Sequence, residues 1–137
     1  AQYPSVKQYM EDAKQTAKEK GYVETFFGRR LWLPEINGSN GIMRAASERA
    51  AINGPMQGTA ADLIKLAMIA VHNWIQTDIN IKGKMIMQVH DELVFEVPNN
   101  EVQTFKKMIP TLMAGVASLS VPLIADIGEG GNWEQAH

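Results

Sequence analysis

An α+β fold is predicted, and three observations predict it. Apolar residues at positions 60, 63, 64, 67, 68, 71, 74 and 75 recur at helical spacing. Two apolar β-rich runs, 85–89 and 93–97, are separated only by His90, Asp91 and Glu92, which demands a tight hairpin. A second pair of β-rich runs flanks Gly28. The expected architecture is a small antiparallel sheet, built on the hairpin at 85–97 with a further strand at 122–127. It packs against long helices at 56–77 and 101–119.

Each element has a local reason. Val6, Tyr9, Met10, Ala13 and Ala17 give one face of a helix that follows Pro4 and stops near Gly21. Residues 22–26 and 29–33 read as two strands, and Pro34 ends the pair. Residues 35–41, EINGSNG, are turn chemistry. A helix is expected from about Ile42 to Ile52, with a break at Asn53-Gly54-Pro55. A second would start at Met56, with Pro55 in its first turn. Pro98-Asn99-Asn100 precedes the last helix, and the tail from Gly128 is glycine-rich and polar.

Composition narrows the function classes. The 137 residues are one domain's worth of length, 45% hydrophobic and 20% charged, as in an average soluble domain. Without cysteine there is no disulfide scaffold, zinc ribbon or thiol nucleophile. No apolar run approaches the roughly 20 residues of a membrane helix. Nothing at the start resembles a secretory leader, and an opening at Ala1 in helical pattern suggests a piece of a longer protein. The net charge of −2 argues against gripping nucleic acid by bulk charge alone. The first 49 residues carry eight Lys/Arg against six Asp/Glu, so the remainder is the acidic part.

Three groups of residues could carry chemistry. Asp91 and Glu92 at the hairpin tip have the oxygen chemistry of a hard-cation site, with Mg²⁺ the natural occupant; a solvated turn is the other reading. Arg49, Asn53 and Gln57 stand four residues apart and can share a helix face. All three donate hydrogen bonds, and every base pair shows acceptors in the DNA minor groove, so such a row could test base-pair shape without reading sequence. An ordinary polar helix face is the alternative. Arg29-Arg30 could meet phosphate or simply protect a strand edge. His90 alone has no partner at zinc spacing. The methionines and Trp32, Trp74 and Trp133 fit packing roles.

Taken together, four blocks resemble one family. QVHDELVFEV at 88–97 resembles the last catalytic motif of the family A DNA polymerases. ERAAINGPMQGTAAD at 48–62 is similar to the segment before that motif, GYVETFFGRRLWLP at 21–34 to the preceding hairpin, and GNWEQAH at 131–137 to the end of such chains. The blocks occur in the family's order and cover nearly the whole chain. The resemblance implies that Asp91 binds the catalytic Mg²⁺ ions, two in the complete enzyme, and that Glu92 supports them. It implies that His90, Gln57, Asn53 and Arg49 lie near the primer terminus and minor groove. Arg29 and Arg30 match a basic hairpin that could contact the template or primer backbone. Gly54 departs from the pattern, since many relatives carry a larger residue there.

The same resemblance implies partners and limits. The partners would be primer-template DNA, deoxynucleoside triphosphates and the missing N-terminal part of the polymerase, in the bacterial cytoplasm with the nucleoid and away from membranes. Residues 1–55 would be fingers-side and 56–137 palm. The family's other palm aspartate, in a DYSQIE motif, has no counterpart here, nor does the nucleotide-gripping fingers helix. Two metals roughly 4 Å apart need carboxylates from two segments, and this chain supplies one. The isolated chain is therefore expected to be inactive, with exposed apolar surface in its first 40 residues and a tendency to self-associate. Two other readings are a non-catalytic DNA-binding accessory module with a palm-like fold and a single-subunit RNA polymerase. The block at 48–62 fits the DNA enzymes better.

Overall fold

The computed structural model describes residues 3–137; Ala1 and Gln2, the first positions of the expected fingers-side segment, lie outside the described residues. The chain forms two compact units, one through Asp62 and the other Leu63–His137. Helix α1 spans Pro4–Lys20, with proline in the first turn, where its missing N–H costs nothing. Gly21 closes it in the left-handed conformation, φ 79°, and donates its N–H to Ala17 O at 2.8 Å. Strands β1 (Tyr22–Glu24) and β2 (Arg30–Trp32) pair antiparallel, with Val23 opposite Leu31. A 3₁₀ turn follows at Pro34–Asn37. The core of this unit is Ala17, Val23, Leu33, Ile36 and Ala51.

Helix α2 corrects the expected break. It runs unbroken from Gly41 to Thr77 with Pro55 inside it. Proline removes one ladder donor and disturbs the carbonyls three and four residues before it. One of those carbonyls, Ile52 O, accepts the Tyr9 hydroxyl of α1 at 2.8 Å. An outside donor thus occupies an acceptor in the turn that proline disrupts, and the helix continues.

Two glycines of α2 let the β1–β2 hairpin lie against the helix. A Cβ at Gly54 would overlap a δ-methyl of Leu31. A Cβ at Gly58 would stand 2.5 Å from Thr25 Cγ2. The two contacts differ in how far the neighbour can yield. Leu31 is partly exposed and touches with the end of a rotatable side chain. Thr25 is buried and hydrogen-bonded.

In the second unit β3 (Lys84–Val89) pairs antiparallel with β4 (Glu92–Glu96), with an irregularity between Met85 and Met87. Helix α3 spans Val102–Ala114, shorter than the expected 101–119, and Gly115 follows it. Val71, Phe105 and Ile109 form the core, with Trp74, Ile75, Phe95 and Val97 packed on it. This is the expected packing of the hairpin and the last helix on the second half of α2. The buried Glu101 carboxylate accepts the N–H groups of Lys82 (2.6 Å) and Gly83 (3.1 Å), which fixes the chain as it enters β3.

The expected strand at 122–127 is absent among the described residues, so the sheet has two strands. Pro122 lacks a donor, and neither β3 nor β4 pairs with this run. Ile124 is 78% exposed. An alternating apolar run becomes a strand only where an edge receives it.

Gly58→Ala is expected to destabilise the chain by about 1–3 kcal/mol, because the methyl group overpacks against a buried threonine that cannot move freely. Gly54→Ala is expected to be neutral or to stabilise by up to about 1 kcal/mol, the helix-propensity gain outweighing a rotation of Leu31. Urea denaturation midpoints of the two variants check the contrast.

Candidate active site

In the first unit α2 carries Arg49, Asn53 and Gln57, all exposed. Because the helix is continuous through Pro55, their spacing of four holds over the whole stretch and spans about 12 Å. None of the three side chains has a hydrogen bond or ion pair among the described residues. They stand as a row of uncommitted donors.

Arg29 is held more firmly than its sequence context suggests. Its Nε donates to Asp62 Oδ1 at 2.8 Å, and Asp62 is 6% exposed. Thr25 Oγ1 donates to the other carboxylate oxygen at 3.0 Å and accepts Arg29 N–H at 3.2 Å. A buried carboxylate needs such partners. The arginine side chain remains 60% exposed, so a fixed cation stands at the hairpin end. Arg30 is engaged otherwise. Its guanidinium lies over Tyr22, 4.4 Å from the ring centroid, and its Nε is 3.5 Å from Glu24. It is a packing cation on the hairpin face.

In the second unit Val89 pairs with Glu92, so the β3–β4 loop is two residues long: His90 and Asp91. Glu92, expected within the loop, is the first residue of β4. A two-residue loop needs positive φ, and here His90 supplies it at 53° without being glycine. That conformation costs on the order of 1 kcal/mol and is met most often where geometry serves a site. The Gln88 side-chain amide donates to His90 O and pins the turn.

The carboxylates at this tip differ in their commitments. Asp91 is exposed, and no hydrogen bond or ion pair engages it among the described residues. Glu92 Oε2 lies 2.9 Å from His137 Nε2. The other ring nitrogen, Nδ1, lies 2.9 Å from Trp133 O. A carbonyl oxygen only accepts and an ionised carboxylate only accepts, so the imidazolium form satisfies both contacts. The Trp133 carbonyl, then Glu92 by hydrogen bond and by charge, hold the His137 pKa above its ordinary 6.5, against a smaller effect of desolvation.

The tip offers hard oxygen donors on a rigid turn, which fits a divalent cation. It offers them from one segment only. Among the described residues no three His, Cys, Asp or Glu side chains converge. The tip by itself therefore closes no cation site among the described residues. No helix is long and apolar enough to cross a membrane.

Sequence reading missed two residues at these sites. Asp62 lies inside the quoted 48–62 block, but its burial beneath Arg29 follows only from the hairpin's seat on α2. His137 lies 45 residues from Glu92, and no local spacing announces the pair.

The fold is that of part of a nucleic-acid polymerase domain. It is similar, with a TM-score of 0.90 and 41% identity over 95% of this chain, to the polymerase domain of Pol1 from M. smegmatis, solved with DNA primer-template and dNTP; the chain covers 23% of that structure. The family profile of DNA polymerase family A matches residues 1–135, and the chain belongs to that family. It is 54% identical over its whole length to DNA polymerase I of Pseudomonas aeruginosa, and 46% identical over 98% of its length to that of Streptococcus pneumoniae. It spans about 15% of the length of these relatives.

The His137 contact makes a pH prediction. A folded pKa raised above the unfolded value means that the contact's stabilisation is full below about pH 6.5 and is lost as pH rises through the raised value. NMR titration should give His137 a midpoint above 6.5, and Glu92→Gln should bring it down. An identical midpoint in both proteins would show that the carboxylate is not the partner in solution.

Proposed function

We propose that this chain is the part of a DNA-directed DNA polymerase that carries one metal-binding carboxylate segment and a row of minor-groove donors. The observation that carries the reading is the free Asp91 carboxylate on the two-residue β3–β4 turn, within a chain of family A. The complete enzyme adds a deoxynucleotide to a primer 3′-OH. Asp91 holds Mg²⁺, and Glu92 beside it supports that site. When bound, two such cations supply the charge that activates the 3′-OH and steadies the leaving phosphates. The second carboxylate segment comes from the rest of the polymerase.

The other residues align the nucleic acid. Arg49, Asn53 and Gln57 donate to the minor-groove acceptors that all correct base pairs share. His90, fixed by its turn, adds a donor near the primer end. Arg29, braced by Asp62, meets backbone phosphate, and Arg30 contributes charge to the same hairpin. The neighbouring structure contains primer-template DNA and dNTP, which supports these as the partners here. The same reading puts the enzyme in the bacterial cytoplasm, in replication and repair. Exposed Phe26 and Trp32 on the hairpin favour covering by the remaining polymerase, or self-association when it is missing.

In the complete polymerase, Asp91→Ala is expected to lower primer extension by several powers of ten while primer-template binding stays near normal. A nearly unchanged rate would sink the assignment. The chain alone should extend no primer. An accessory DNA-binding module would instead bind primer-template tightly on its own, with affinity falling steeply as salt rises.

A further inference from the structure

Glu92 has a problem of order. It begins β4 at the turn end of a two-stranded sheet, and its side chain is 46% exposed. A glutamate there has three rotatable bonds, and no side chain of its own hairpin bonds it; the Gln88 amide is spent on His90 O. A carboxylate left to sample rotamers beside Asp91 would support the metal segment only part of the time.

The tail supplies the missing restraint. Residues 131–136 close on themselves: Gly131 N–H donates to Gln135 Oε1 at 2.9 Å, Gln135 N–H to Asn132 Oδ1 at 2.9 Å, and Ala136 N–H to Asn132 O at 3.2 Å. This turn presents Trp133 O to His137 Nδ1 at 2.9 Å and the indole ring to the imidazole edge-to-face, 5.3 Å between centroids. The imidazole is thus fixed in place and in ring orientation before it meets the carboxylate. Its Nε2 then takes one oxygen, Oε2, at 2.9 Å. The other oxygen of Glu92 has no partner among the described residues.

We infer that His137 is a positioning residue of the active site, acting through Glu92: it locks one oxygen of that carboxylate so that the other is held ready beside Asp91. The inference rests on the polymerase reading above. It assigns the closed turn at 131–136 a purpose, as the base that orients the imidazole. Outer partners of metal-site ligands work in this way, and their loss costs roughly tenfold to a hundredfold in metal affinity or activity.

The test uses the complete polymerase with primer-template, in five variants: His137→Ala, His137→Gln, Glu92→Ala, the double His137→Ala/Glu92→Ala, and Asp91→Ala. His137→Ala should lower kcat by roughly ten- to a hundredfold with the nucleotide KM and DNA affinity unchanged, and should weaken Mn²⁺ binding measured by EPR without turnover. His137→Gln, which keeps a donor, should recover part of both. In the Glu92→Ala background the histidine change should have no further effect on either readout, because its route is gone. A normal kcat and Mn²⁺ affinity in His137→Ala overturns the inference. So does an equal loss with and without Glu92, which would mean that the tail acts elsewhere. Asp91→Ala separates the levels: if it too is nearly normal, the polymerase reading itself fails.

Discussion

The pairing of Val89 with Glu92 decides where the carboxylates of the β3–β4 tip stand. With that register the hairpin turns in two residues, and one of them is Asp91. A shift by one residue would move every side chain of β3 or β4 to the other face. It would take Phe95 off the core it shares with Phe105 and Val71 and would carry Glu92 away from His137. The apolar packing on one face of the hairpin thus enforces the position of the carboxylates at its end. The strain at His90 is the local cost of this arrangement, and the core contacts and the Gln88 bond are what hold it.

The first unit solves a different problem with similar means. A row of donors on a helix is useful only if the helix stays straight enough to keep them in line. Pro55 falls in the middle of the row, between Asn53 and Gln57. Tyr9 donates its hydroxyl to Ile52 O close to the proline, and the helix runs on through Pro55. Close beside it, Gly54 and Gly58 bring the β1–β2 hairpin down onto the same helix, where Asp62 can reach Arg29. The aligned donors and the fixed cation depend on the same stretch of α2.

Much of this was legible in the sequence, for a stated reason. Helical periodicity and the two hairpins are local patterns, and local patterns survive folding when a core confirms them. Val71, Trp74 and Ile75 were placed on one helix face by spacing and lie there against Phe105. The Asn53-Gly54-Pro55 sequence predicts a break, yet α2 runs through it with the Tyr9 hydroxyl on Ile52 O. The run at 122–127 has strand composition but no edge to join. Of the eight candidate residues, Arg49, Asn53, Gln57, His90 and Asp91 are exposed, while Arg29, Arg30 and Glu92 are engaged within the fold. Asp62 and His137 were invisible because each acts through a contact made by tertiary packing, over 33 and 45 residues of sequence.

The distribution of commitments among the carboxylates carries the last step. Of the acidic side chains with partners in the fold, three bear on the hairpins and their tips. Asp62 is spent on Arg29 and Thr25, Glu101 on the N–H groups of Lys82 and Gly83, and Glu92 on His137 through one oxygen. The first two are buried, where an unpaired charge would be costly, so their partners are needed for folding. Glu92 is half exposed, and folding makes no such demand on it. Its restraint is better understood as serving its neighbour. Asp91 has no hydrogen-bond or ion-pair partner among the described residues and follows the strained backbone of His90. A fold that pins this turn and braces the adjacent carboxylate leaves the aspartate's oxygens open, which is what the proposed metal-ligand role asks of them.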